Sequence, residues 1–449
     1  MNQALQQAPR SKVRWLVAGL MWSAIAINYI DRTVLSAAAP HLQAEFHLSA
    51  MEMGIVMSAF FWSYALLQLP AGMLADRFGQ KIVLGASVFW WSLATAVTGL
   101  ATGFKSLVLL RVMLGIGEAG AYPSNAGIAS RWFPRKERAT VAGIFDSGSK
   151  LGGAVALPLI AWLLATFDWK VTFAITGVLG LIWCVVWVFV FRDSPADHKR
   201  VNAAELAHIR DGEAVSRGDS VGAAADVPWH RLFAHRNIWA MCIGFFMINY
   251  NSYFFITWLP TYLVKERGMS LMEMGFMASL PLVLSMIVEV FAGWASDRVY
   301  ASGKLSLTAT RKLFLVVGLV MASSIGLAAF ATSPLVAVAL LCVAKSGTTV
   351  AASQVWALPG DVAPGNMVSR VAGIQNTVSN MGGVVGPIVT GAIVGATGSF
   401  IPALLFSSGL IVIAILNYLF LLGKVEPIQF NQVPVEARNR DERNVDVSA

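Results

Sequence analysis

Gly72-Met73-Leu74-Ala75-Asp76-Arg77-Phe78-Gly79-Gln80-Lys81 closes the second long apolar run of this chain. Its first six positions return as Gly293-Trp294-Ala295-Ser296-Asp297-Arg298, displaced by 297 − 76 = 221 residues. The pair Asn28-Tyr29 returns as Asn249-Tyr250 at the same displacement, 249 − 28 = 221. Two separate echoes at one spacing predict two related halves. Repeats of this kind mark secondary transporters, whose substrate site lies near the bilayer midplane between the repeats.

Composition agrees with a chain solvated by lipid. Of 449 residues 56% are hydrophobic and 13% charged, against about 25% charged in soluble domains. A membrane-spanning helix needs roughly 17–25 mostly apolar residues. Twelve such runs are read, at residues 13–39, 51–75, 82–102, 107–130, 140–166, 171–191, 238–264, 272–295, 313–331, 335–358, 371–394 and 401–422. The expected fold is all-α, with twelve transmembrane helices in two pseudo-symmetric bundles, 13–191 and 238–422. A polar linker, 192–237, joins them and carries one surface helix at 203–212, between short tails at 1–12 and 423–449.

The net charge of +8 does not indicate nucleic acid, because the cations sit in short loops. They gather before the first span, at Arg77 and Lys81, from Arg131 to Arg138, in the linker, and from Arg298 to Lys312. These alternate loops are expected to be cytoplasmic by the positive-inside rule, with both termini on that side. Lys12 and Arg14 lead directly into a full-length span, so no cleavable leader is expected.

The three cysteines lie singly in separate runs, and all six histidines fall outside the runs. No metal site, cofactor or buried imidazole relay is expected. Gly115-Ile116-Gly117-Glu118-Ala119-Gly120 is formally G-x-G-x-x-G, but it lies inside a span, whereas a dinucleotide fingerprint follows a strand. Small residues for close helix packing are the reading adopted. No Walker-type phosphate loop and no nucleophile constellation occurs, so neither ATP-driven transport nor an enzyme is expected.

The motifs quoted, together with Asn28-Tyr29-Ile30-Asp31-Arg32, Tyr122-Pro123-Ser124-Asn125, Trp132-Phe133-Pro134, Phe255-Ile256-Thr257-Trp258-Leu259-Pro260 and Trp356-Ala357-Leu358, resemble the major facilitator superfamily. Within it the chain is similar to the anion:cation symporters, especially the bacterial galactonate and glucarate permeases. The resemblance implies proton-coupled uptake of an organic anion by alternating access, a sugar acid such as a hexonate, aldarate or hexuronate. It also implies a bacterial inner-membrane protein acting as a monomer. Aromatic or other small carboxylates are the alternative substrates, and a drug/proton antiporter is a remoter alternative.

Charges at bilayer depth are functional candidates by default. Tyr29 and Arg32, three apart, share a helical face. Arg32 is read as gripping a substrate carboxylate, for which a permanently charged, bidentate guanidinium is suited. Arg111 and Glu118 lie seven apart on one face, and Asp31 is expected to pair with Arg111 in one state of the cycle while Glu118 takes and releases a proton. Resemblance supports Asp31 and Glu118 as coupling acids. On the second span Tyr64 and Gln68 share a face, and the resemblance gives the tyrosine a substrate contact. It suggests another at Ser149, where those permeases commonly carry glutamine. Asp146 and Lys150 also depart from the pattern, as a self-neutralising i,i+4 pair or as direct ligands. In the second half Tyr253, Ser353, Trp356 and Asn376 are the expected substrate contacts. Asp76, Arg77, Asp297 and Arg298 are read as gating ion pairs. Glu289 and Lys345 receive no role from sequence.

Overall fold

The computed structural model describes residues 10–134, 137–210, 229–363 and 367–428. Its first half contains α1 (Val13–Glu45), α2 (Ala50–Phe78), α3 (Gln80–Thr98), α4 (Phe104–Glu118), α5 (Ala121–Trp132), α6 (Arg138–Thr166) and α7 (Trp169–Val190). A short helix, α8 (Ala203–Arg210), follows in the linker. The second half contains α9 (Arg236–Thr257), α10 (Leu259–Lys265), α11 (Leu271–Ala301), α12 (Leu307–Ala322), α13 (Ile325–Ala328), α14 (Pro334–Val362), α15 (Val368–Thr397) and α16 (Ile401–Leu416).

Ten helical segments among the described residues are long and apolar enough to cross a bilayer. The remaining expected crossings are broken rods. The fourth is divided at Ala119-Gly120 into α4 and α5, and the seventh at Trp258 into α9 and α10. Pro260 stands in the first turn of α10, where a missing N–H breaks no intrahelical bond. The first helix runs past its expected end at Ala39, through Pro40, to Glu45. It therefore takes in His41, which lies outside the apolar run. Helix α8 begins at Ala203 as expected; the expected end at Gly212 lies outside the described residues.

Local chemistry starts the helices. Ser49 accepts from the Glu52 N–H while the Glu52 carboxylate accepts from Ser49 N at 2.9 Å, a capping box that opens α2. Ser270 and Glu273 open α11 in the same way. Here 270 − 49 = 221, a third echo at the spacing found in the sequence. Gly79, at φ +89°, turns the chain between α2 and α3, a conformation that favours a residue without Cβ. Asp193 then accepts from Lys81 N at 2.9 Å, tying the start of α3 to the chain beyond α7.

Helices α2 and α15 meet across the two halves, as do α6 and α11. The first contact is set by glycine. Gly54 faces the Pro387 carbonyl and Gly391 faces Ala50, each so close that a Cβ would collide with backbone. Ser58 donates to the Val384 carbonyl at 2.7 Å, and Phe61 meets Tyr253 edge-on at 4.5 Å. Lys265 donates to Gln43 at 2.6 Å. Apart from Phe61 and Tyr253, which meet at mid-depth, these contacts lie at the end of the bundle away from the linker.

At the linker end the picture differs. Asp76, Arg77 and Arg298 are exposed, and among the described residues none of them enters an ion pair; the side chain of Asp297 lies outside the described residues. The flanks are apolar and open, with Ile182, Val185 and Phe189 of α7 all exposed. Continuous apolar surface of this kind fits lipid rather than water.

Candidate functional site

Arg32 of α1 and Glu118 at the end of α4 meet inside the first half, Nε to Oε2 at 2.5 Å, with side chains 9% and 0% exposed. The guanidinium also lies over the rings of Tyr29, Phe60 and Tyr64, at 4.9, 4.6 and 4.6 Å. Cation–π contacts contribute about 0.5–2 kcal/mol each, most when water is excluded. Phe60 and Tyr64 themselves stack at 5.1 Å. One side chain thus carries a carboxylate partner and an aromatic cage.

Asp31, the preceding residue, points elsewhere. It is fully buried, and its charged neighbours are Glu118 and Arg111, beside Thr95 and Trp91 of α3. No Asp31–Arg111 ion pair is formed in this structure. The sequence reading gave Arg32 to one circuit and Glu118 to another; here the two residues are joined. Helical periodicity fixes which face a residue is on, not which residue of another helix it meets.

The glycines of the 115–120 segment explain how Glu118 comes so close. Gly115 abuts Phe60 and Ser63 of α2, and Gly117 abuts Trp91 of α3. Without side chains there, α4 lies against both helices and brings Glu118 to α1.

Beside this cluster lies a cavity of about 190 Å³ between the halves. Tyr29 and Thr33 of α1 and Ser149 and Lys150 of α6 line it from the first half. Phe255, Ser285, Glu289, Lys345 and Thr349 line it from the second. A smaller space holding Arg32 and Arg111 adjoins it, and Ile256 lines both. Lys150 bridges the halves, with Nζ 2.7 Å from Glu289 and 3.4 Å from Asp146 on its own helix. The Tyr122 hydroxyl donates to Asp146 at 3.2 Å. The residues for which sequence gave no role, Glu289 and Lys345, therefore face this cavity.

The other candidates divide by depth. Tyr64 and Tyr253 are central, and Tyr253 donates to Asn380 at 3.0 Å. Ser149 lines the cavity, with its hydroxyl donated to the Asp146 carbonyl. Gln68 and Asn376 each lie seven residues along α2 and α15, about 10 Å, from Phe61 and Gly383, which abut each other; both lie towards the linker end. Ser353 and Trp356 are likewise nearer that end of α14, and Trp356 is 53% exposed, edge-on to Phe245. These four lie outside the enclosed cavity. Thr33, Ser285 and Thr349 were missed by the sequence reading. Each had a usable signal, one helical turn from a residue already singled out: Thr33 from Tyr29, Ser285 from Glu289 and Thr349 from Lys345.

Helices arranged as two bundles around a charged, hydroxyl-lined cavity at mid-depth define a multi-pass membrane transporter. The model of the Major Facilitator Superfamily matches residues 21–387, and the chain belongs to that superfamily. It is a transporter and not an enzyme. Among its relatives, the D-galactonate transporter of Escherichia coli O6:H1 is 34% identical over 95% of this chain and 100% of its own length. The probable galactarate/D-glucarate transporter of Bacillus subtilis is 35% identical over 93% of this chain and 94% of its own. A bacterial homologue of the human lysosomal transporter Spinster, crystallised inward-facing and occupied, shares the fold at TM-score 0.75 and 19% identity, covering 92% of this chain and 97% of that one.

Proposed function

We propose that this chain takes up an organic anion together with protons by alternating access, and that the anion is a sugar acid such as a hexonate, an aldarate or a hexuronate. The observation that carries the reading is the Arg32–Glu118 ion pair at the edge of the inter-half cavity. The names of the relatives support the substrate class.

The chemistry follows from competition. While Glu118 is ionised it occupies Arg32, and a substrate carboxylate must displace it. Protonation of Glu118 removes that competitor and leaves a caged guanidinium free for the substrate. When the proton leaves again, Glu118 reclaims Arg32 and expels the anion. Asp31, close to both Glu118 and Arg111, is the second acid of the circuit, with Arg111 its facing cation. Tyr29, Tyr64, Gln68, Ser149, Tyr253, Ser353, Trp356 and Asn376 supply hydroxyl, amide and ring contacts along the path. Asp76, Arg77, Asp297 and Arg298 pair when the linker end closes. On this reading the protein sits in a bacterial inner membrane with both termini cytoplasmic and works as a monomer.

Proteoliposomes with an inward proton gradient are expected to accumulate a six-carbon sugar acid. Uptake that ignores the gradient overturns the coupling scheme.

A further inference from the structure

Arg32 serves one negative group of a substrate. The cavity beside it holds a second concentration of charge that this role leaves unused. Lys150, Glu289 and Lys345 all line the space, and the carboxylates there are unevenly shared between the two cations. Lys150 is satisfied by Glu289 and Asp146. Lys345 is not in ion-pair contact with any carboxylate among the described residues. Its Nζ has the Ser252 hydroxyl at 3.4 Å and the Phe255 ring centroid at 5.6 Å. A half-buried ammonium with so little compensation, on a wall shared with hydroxyls, attracts an anion.

The two cationic centres flank contiguous space. Tyr29 lines the cavity while Arg32 lies over its ring, and Ile256 lines both the cavity and the small space around Arg32. We propose that Lys345, beside the Lys150–Glu289 bridge, is a second anion-binding pole, so that the site selects acids with a negative group at each end over mono-acids. The proposal rests on the sugar-acid reading and refines it. Glu289 acts in it as the resident counter-ion: it neutralises Lys150 and opposes a surplus anion until Lys345 has received the second carboxylate.

Uptake of galactarate and of D-galactonate, a diacid and a monoacid on one carbon skeleton, tests this in proteoliposomes. The wild type is expected to half-saturate at a lower concentration of galactarate. Lys345→Gln is expected to raise that concentration about tenfold or more for galactarate and by less than about twofold for galactonate. A parallel loss for both acids, or no change for either, overturns the second pole while leaving the sugar-acid reading intact. If Lys345→Gln does not reach the membrane, Glu289→Gln decides. It is expected to tighten galactarate binding and leave galactonate unchanged, and an unchanged or weaker response to galactarate overturns the proposal. A wild type that takes up neither acid overturns the sugar-acid reading itself, and the second pole with it.

Discussion

Glu118 of α4 occupies the guanidinium of Arg32 of α1 at 2.5 Å, the two residues lying 118 − 32 = 86 apart in sequence. The proposed substrate ligand and the proposed proton acceptor are thus one electrostatic unit. Changing either residue is expected to alter both substrate affinity and coupling.

Glu118→Gln keeps the size of the side chain and removes the exchangeable proton. Gradient-driven accumulation is expected to fall about tenfold or more, while substrate exchange across the membrane without a gradient persists. Parallel flux assays on one liposome preparation separate the two. Loss of exchange along with accumulation would refute the assignment.

Arg32→Lys keeps the charge but gives up the planar fork and the contact with Tyr29, Phe60 and Tyr64. Binding of a sugar acid is expected to weaken about ten- to a hundredfold, because a bidentate, stacked guanidinium is poorly replaced by a point charge. Calorimetric titration in detergent measures it directly.

Outside the membrane, the linker helix α8 is held against the first half by charge. Glu205 is fully buried and accepts from Ser11, from Val13 N and Arg14 N, and from the Arg14 guanidinium. Arg14 also pairs with Glu137 at 3.1 Å, and His208 meets Glu137 at 2.8 Å. Burial pushes the Glu137 carboxyl up, but hydrogen bonds from His208 and Arg14 outweigh it and hold the group below its ordinary value. A depressed carboxylate contributes stability above its unfolded pKa, about 4.3, and loses it as pH falls through the folded value. Amide protection across residues 203–210, taken relative to the intrinsic exchange rate at each pH, is therefore expected to fall below about pH 4.3, and Glu137→Gln to flatten that dependence.

The seam between α2 and α15 has no room for side chains at Gly54. Gly54→Val is expected to hold the halves apart at the end away from the linker and to lower uptake about tenfold or more. Spin labels at exposed positions on α2 and α15 will report the widened distance. Unchanged distances with unchanged uptake would show that the seam is not closed in the transport cycle.

Much of the architecture was legible because its signals are local. The apolar runs are written in consecutive residues, and the 221-residue echo in short motifs. Buried charge was legible too: Asp31, Arg32, Arg111 and Glu118 stand out in apolar surroundings, and so do Glu289 and Lys345. Pairing was not. Whether Glu118 meets Arg111, seven residues away on its own face, or Arg32 on α1 depends on how closely α4 approaches α1, which the glycines at 115 and 117 permit.

The glycine seam has a mechanical consequence. It occupies α2 from Ala50 to about Phe61, and the helix continues for 78 − 61 = 17 residues to Phe78, a length of about 25 Å. Contact so close makes the seam a fulcrum and the remainder of α2 a lever. A tilt of about 10° at the fulcrum carries the Asp76-Arg77 tip through about 4 Å, given that length. A small rotation about Gly54 and Gly391 therefore suffices to move the exposed Asp76-Arg77 tip by about 4 Å, the reach of an ion pair.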